Sequence, residues 1–478
     1  MQCIRLSPAL FFFIVLVTSV YYYYIQKQLG DHQATQAIPR VIDTNLTQRD
    51  IQARPWNTTR IGQVPVSVPP KAKQQELMEI GNPLFSSDVS EPSTSKSKRT
   101  NDTCEPHYNV AFLKVHKSGS TTVSYVLFRL GLYRDLIVAL PSKTECDIIG
   151  HFGIIRDDDF ERLPSGKRWN IFAHHAIYNR TRFHQLMAPN TRYVTILRQP
   201  LERLQSAFHY FKLQTRFPGM ENETANGTAH VTTYLKNPSF WDPRFKPPDS
   251  EIDRENFCFR NCMARDLGLL RRDYDNSTAV REFVHGIEND FTTVMIMEYL
   301  PASLVLLKRR MCWTLYDIIY NTHQSKKSKY TLQADITKTM EENFNKHNYA
   351  DVVLYDHFKK LLYKQIKQEG ADFLEEVKYF ERVNDQVSRF CAMNKISKWT
   401  LRRKMPIEES KWNDAFVVDR SFCLQLYFLR PHWDYVSWLK YYLRPSTGQK
   451  RNRMLKYCGS PIKRSRADVQ IVKEYIRG

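Results

Sequence analysis

Val110-Ala111-Phe112-Leu113-Lys114-Val115-His116-Lys117-Ser118-Gly119-Ser120-Thr121-Thr122 reads as a buried strand running into a short loop of hydroxyls with one glycine and one lysine. After the loop, Val123, Val126, Leu127 and Leu130 share one helical face, and Gly131 stands where it could end the helix. A strand–loop–helix turn of this kind aims backbone N–H groups and the positive end of a helix dipole at one spot, which suits a phosphate or sulfate. Lys117 adds a point charge, and Ser118, Ser120, Thr121 and Thr122 add hydroxyl donors around Gly119. The spacing G-x-x-x-x-G-K-[ST] is missing and no Mg²⁺-binding Asp motif accompanies the loop. An anion cradle is therefore expected, and ordinary ATP or GTP hydrolysis is not.

Outward from this stretch the chain alternates strand-like and helix-like segments. Ile171 to His175, Arg192 to Leu197 and Thr293 to Met297 read as further strands, and Pro200 to Lys212, Ala302 to Met311 and Asp351 to Lys367 as helices. The pattern predicts an α/β fold, a P-loop-like parallel sheet flanked by helices, with ligands gathered at the carboxyl ends of the strands. The third strand ends at Arg198, Pro200 sits where a helix can begin, and Ser206 lies nearly two turns in. A guanidinium fork and a hydroxyl so placed can converge on one phosphate. Phe217 to Asp253, rich in proline and glycosylation sequons, reads as a surface excursion.

The formal net charge of +20 fits a polyanion, an anionic cofactor, an acidic glycan or an acidic membrane surface. Part of it sits in the run Lys450 to Arg466, a basic tail that says nothing about a catalytic site. Residues 8–25 form one apolar run, about 27 Å as a helix, close to the thickness of a bilayer core. No small-x-small cleavage site follows it, which favours an anchor over a cleaved signal peptide. Asn45, Asn57, Asn101, Asn179, Asn222, Asn226 and Asn276 each head an N-x-S/T triplet, which places the body in a lumen. Beyond Cys3, on the cytoplasmic side, eight cysteines remain: Cys104, Cys146, Cys258, Cys262, Cys312, Cys391, Cys423 and Cys458. An even number in an oxidising compartment points to disulfides whose pairing stays open. Cys258 and Cys262 read as one bridge or parts of two, ahead of a metal site. The organisation expected is a cytoplasmic tip (1–7), a transmembrane signal-anchor (8–25), a Gln/Pro/Ser/Thr-rich lumenal stem (26–103), a catalytic domain (104–445) and a basic C-terminal tail (446–478).

The lysine loop and the Arg198/Ser206 element together resemble the two signatures of sulfotransferases that use 3′-phosphoadenosine-5′-phosphosulfate (PAPS). More narrowly, Phe112 to Thr122, Leu197-Arg198-Gln199-Pro200 with Phe208-His209-Tyr210, Glu298-Tyr299 through Ser303 to Lys308 and on to Cys312-Trp313, and Tyr355-Asp356-His357-Phe358 resemble the galactose-3-O-sulfotransferase family. The resemblance runs from about Cys104 to Cys391. It implies a sulfotransferase-type fold and a Golgi enzyme that sulfates the 3-hydroxyl of galactose on glycolipid or glycoprotein glycans. It also implies PAPS as co-substrate, held by Lys117, Ser118, Gly119, Ser120, Thr121, Thr122, Arg198 and Ser206. His175 is implied as the base, with Lys117 steadying the leaving group and His116 near the sulfuryl group or acceptor. His174 and His151 are weaker candidates. Gln199 departs from the family's usual Asp, which should alter loop packing more than phosphate contact. Asn179 places a glycan site close to this proposed centre. No metal and no nucleic acid are expected. The rivals are sulfation of another sugar, such as a glycosaminoglycan uronic acid, a non-catalytic lumenal glycan-binding protein of the same fold, and a nucleotide kinase.

Overall fold

In the computed structural model, four strands, β1 (Val110–Leu113), β2 (Ile171–Phe172), β3 (Arg192–Leu197) and β4 (Phe291–Ile296), form one sheet in the order β2-β1-β3-β4. Every neighbouring pair is parallel. All four residues of β1 are buried, and β3 is buried after its first residue. That is why these strands read as continuous apolar runs rather than as alternating ones. A parallel sheet brings all its strand ends to one edge, so Lys114, Ala173, Arg198 and Met297 emerge side by side.

The structure describes residues 104–142, 148–150, 153–163, 166–220, 230–247, 258–325, 336–396, 404–442, 456–457 and 460–461. They belong to one compact unit, Val68–Gly478. The anchor, the stem, most of the basic tail, His151, Cys146 and Cys458 lie outside the described residues. Among the described residues no helix is long and apolar enough to cross a membrane.

The longer helices are α1 (Ser120–Tyr133), α2 (Arg180–Leu186), α3 (Pro200–Phe211), α4 (His230–Lys236), α5 (Cys262–Asp266) and α6 (Ser277–Asp290), followed after β4 by α7 (Leu300–Met311), α8 (Lys338–His347), α9 (Tyr349–Gln368) and α10 (Phe373–Ile396). A hairpin of β5 (Met405–Ile407) and β6 (Phe416–Val418) precedes α11 (Arg420–Leu426) and α12 (Arg430–Tyr441). Among the described residues, three disulfides join Cys104 to Cys312, Cys258 to Cys262 and Cys391 to Cys423. The close pair is thus one bridge.

Several local expectations change. Gly131 does not end α1, which continues to Tyr133. A Cβ there would come within 2.6 Å of the Val138 side chain, so the glycine serves close packing rather than termination. Strand β2 stops at Phe172 instead of His175: the His174 carbonyl still accepts from the Lys114 N–H beside β1, at a long 3.4 Å, but the His175 carbonyl has turned to the Ile149 N–H. Strand β4 begins two residues earlier and ends one residue earlier than expected. The segment after Phe217 is no mere surface excursion. Phe217, Met220, Tyr234 and Trp241 are buried and close a second apolar core with Leu204 and Phe208 of α3 and Phe344 of α8. Its apolar residues follow no helical or strand period, so they were invisible among prolines and sequons.

Candidate active site

The cradle is built where β1 hands over to α1. Lys117 (φ 61°) and Gly119 (φ 73°) both take the left-handed backbone region. For Gly119 this costs nothing sterically, and a Cβ there would strike the Met297 thioether. For Lys117 the conformation is strained, of the kind held in place at functional sites by surrounding structure. Gly119 is the N-cap of α1 and offers no side-chain hydrogen bond to the first turn. The Thr122 N–H turns back to the Gly119 carbonyl at 3.2 Å, so the Ser120 and Thr121 N–H groups at the start of this fourteen-residue helix are the ones placed for an anion. The Ser118 hydroxyl is completely buried and has no hydrogen-bond partner among the described residues. A buried orphan donor inside such a loop fits an anionic ligand.

Lys117 is half-buried, with its ammonium 3.5 Å above the centre of the Tyr210 ring on α3. Burial first, then the charges of Arg198, Lys114 and Arg203, pull its pKa down to about 8. Arg198, at the end of β3, points one guanidinium nitrogen at the Lys117 carbonyl (3.5 Å) and the other at Glu202 (3.4 Å). The two signatures, 81 residues apart, therefore meet because β3 pairs with β1. Ser206 is buried on α3. Ser120 donates to the Val115 carbonyl at 2.8 Å, so its proton is already used in bracing the loop. Thr121 and Thr122 instead line an open cleft together with Tyr320, Asn321 and Gln425. Aromatic and amide side chains beside a phosphate cradle suit a nucleoside.

Gln199 keeps the work expected of an acidic residue: its side-chain oxygen caps α3 by accepting from the Glu202 N–H at 2.6 Å. Its own N–H donates to Glu298, which also accepts from the Tyr355 hydroxyl. Two stretches singled out by resemblance, around Glu298 and Tyr355, thus hold the loop after β3.

The histidines separate. His174 is fully buried, its Nε2 2.6 Å from the Ala139 carbonyl between Phe128 and Phe172, a structural position. His175 places Nδ1 2.6 Å from the Lys114 carbonyl. A carbonyl only accepts, so Nδ1 carries the proton and Nε2 holds the lone pair. Its ring stacks on that of His116, with centroids 3.9 Å apart. His116 Nδ1 lies 2.7 Å from Asp266, and the same carboxylate oxygen accepts the His116 backbone N–H at 2.9 Å. Asp266, on α5, is buried. Burial alone would push its pKa up, but His116 and Arg265 hold the carboxyl well below the usual range.

Nothing local marked Asp266, which lies 150 residues from its partner. Tyr210 fell within the Phe208-His209-Tyr210 stretch, yet no spacing showed that its ring would meet Lys117. Asn179 caps α2 through its side-chain oxygen, which accepts from the Arg182 N–H and leaves the amide nitrogen, the atom of the sequon to which a glycan would attach, outside the cap. Among the described residues no cluster of three or more His, Cys, Asp or Glu could hold a metal ion.

A family model described as galactose-3-O-sulfotransferase matches residues 69–409. A galactosylceramide sulfotransferase of Bos taurus is 27% identical over 291 residues, covering 60% of this chain and 65% of that protein. A galactose-3-O-sulfotransferase 3 of Mus musculus is 30% identical over 292 residues, covering 60% and 63%. A galactose-3-O-sulfotransferase 2 of Homo sapiens is 29% identical, covering 61% and 66%. The chain thus spans slightly under two thirds of the length of these relatives.

Proposed function

Since this chain belongs to the galactose-3-O-sulfotransferase family, we propose that it transfers sulfate from PAPS to the 3-hydroxyl of a galactose in glycolipid or glycoprotein glycans. The observation that carries this reading is the meeting of Lys117, Arg198 and the buried Ser118 hydroxyl at the uncapped start of α1. Lys117, Ser118 and the N–H groups opening α1 would hold the phosphosulfate, Arg198 and Ser206 the 3′-phosphate, and the cleft beside Thr121 and Thr122 the base. The acceptor oxygen bonds to sulfur as the bond between sulfur and the 5′-phosphate oxygen breaks. The bonding pair stays on adenosine 3′,5′-bisphosphate, and the acceptor proton goes to the imidazoles of His175 and His116. Lys117 offsets the charge that grows on the leaving oxygen.

As a further part of this proposal, the protein is a single-pass type II Golgi membrane protein with a lumenal, N-glycosylated catalytic body; the apolar run 8–25 and the sequons support it. The names of the relatives, galactosylceramide sulfotransferase among them, favour galactose as the acceptor. The test is transfer from radiolabelled PAPS to a panel of β-galactosides, heparan and chondroitin, with the product's linkage read by NMR. Sulfate on galactose O3 is expected. Label confined to uronic acid would replace the acceptor, and no label anywhere would end the enzymatic reading.

The depressed pKa of Lys117 gives a second expectation. An anion bound over Lys117 favours its charged form, so binding near pH 8 to 9 must take up a proton. Titration calorimetry of adenosine 3′,5′-bisphosphate in buffers of different ionisation enthalpy should show this uptake, absent at pH 6. Affinity should also fall as pH rises above about 8. A pH-independent affinity with no proton linkage would remove Lys117 from the phosphate site.

A further inference from the structure

Helix α5 is only five residues long, too short to be stable alone, yet it is anchored from every side. The Cys258–Cys262 disulfide closes its entry. Asp351 of α9 accepts from the Met263 and Ala264 N–H groups at 3.3 and 2.8 Å, capping its first turn. Asn261 exchanges hydrogen bonds with α9 and the residue before it: its N–H donates to the Asn348 side chain, and its side-chain oxygen accepts from the Asp351 N–H. Arg203 donates to the Cys258 and Phe259 carbonyls at 3.5 and 3.0 Å. The residue presented at the end of this construction is Asp266. Its Oδ2 faces the His116 backbone and ring, and its Oδ1 takes the Arg265 guanidinium at 2.9 Å.

We infer that Asp266 is the positioning residue and counter-ion of the stacked His116–His175 pair. By accepting from His116 Nδ1 it fixes that ring as the Nδ1–H tautomer, so both stacked rings present Nε2 as their lone-pair nitrogen. Two imidazoliums whose centroids are 3.9 Å apart would repel strongly, so the pair takes up one proton, the one released by the sugar hydroxyl. The buried carboxylate balances that single charge as it appears, in the way an orienting Asp serves an imidazole base elsewhere. This rests on the sulfotransferase reading and adds to it a residue that touches neither substrate.

The charged groups around the carboxylate are His116, His175 and Arg265, with Arg203, Asp351 and Tyr274 within electrostatic reach. Asp351 is itself pushed up to about 6 by burial, so acid sensitivity alone identifies nothing, and the test uses opposed variants. Asp266→Asn is expected to lower kcat by roughly 10²-fold or more. Its affinity for adenosine 3′,5′-bisphosphate should stay within about threefold, and the acid limb of kcat against pH should move to lower pH, because the protonated pair has lost its counter-ion. Arg265→Gln removes the cation that competes for the same carboxylate and should move that limb to higher pH. Asp266→Asn added to His116→Asn should cost less than about threefold more, since the two act through one ring. Wild-type protein run alongside establishes turnover, so failure of the sulfotransferase reading shows there and not in the variants. An Asp266→Asn enzyme with wild-type kcat, or limbs that move together in both variants, would overturn the inference. Should Asp266→Asn lose nucleotide binding through misfolding, the Arg265→Gln limb decides alone, and an unmoved limb overturns it.

Discussion

Lys117→Ala is expected to lower sulfate transfer by roughly 10²–10³-fold, the loss seen when one preorganised charge-stabilising donor is removed from a water-poor site. Folding should not suffer. At neutral pH the protonated lysine is held against a pKa pulled down to about 8 by burial and three neighbouring cations, so the charged form opposes folding there. That opposition fades only as pH rises through about 8 toward the unfolded-chain value. Removing the side chain therefore relieves its repulsion with Lys114, Arg198 and Arg203, at the cost of its contact with the exposed Tyr210 ring. Differential scanning fluorimetry at pH 7 should give a Tm at least equal to the parent's while turnover collapses. A lower Tm together with a proportionate activity loss would make Lys117 a packing residue. Full activity with PAPS would remove it from the centre altogether.

The contrast between Lys117 and Asp266 shows what the primary structure discloses here. Lys117 sits in a cradle whose parts are contiguous: apolar strand, hydroxyl-rich loop, apolar helical face. Each leaves a periodic or compositional mark within the twenty-one residues from Val110 to Leu130. Arg198 was legible for the same reason, as the polar end of an apolar strand just before a proline. Their meeting followed from parallel pairing of the two strands. Asp266 reaches His116 only through a short helix held by contacts with α3 and α9 and by a disulfide between cysteines four positions apart. None of those partners is near it in sequence except the cysteines, and they announced a bridge without its purpose. The cleft wall at Tyr320, Asn321 and Gln425 is hidden in the same way, being assembled from segments about two hundred and three hundred residues beyond Thr121. Gly131 misled because a glycine near the end of an apolar pattern signals termination locally. Here the close approach of Val138, which no local rule contains, explains it.

The imidazole pair should give the larger of the two catalytic losses. Replacing His175 by Asn is expected to lower kcat by roughly 10²–10⁴-fold, the range for removal of a positioned proton acceptor. His116→Asn should fall in the same range. Asn at either position can still donate toward the carbonyl of Lys114 or the carboxylate of Asp266, so the cradle should keep its shape. Affinity for adenosine 3′,5′-bisphosphate should then remain near that of wild type, because neither ring is needed to hold the phosphates. The decisive comparison is the double variant. If the stacked rings share one proton, removing either already destroys the acceptor, and removing both should cost little more than the worse single change. Two independent contributions would instead multiply, taking the double variant towards the square of the single loss. Multiplicative losses in kcat would show that one ring serves as base while the other acts separately on the substrate, and collapse of nucleotide affinity in either single variant would assign that ring to binding.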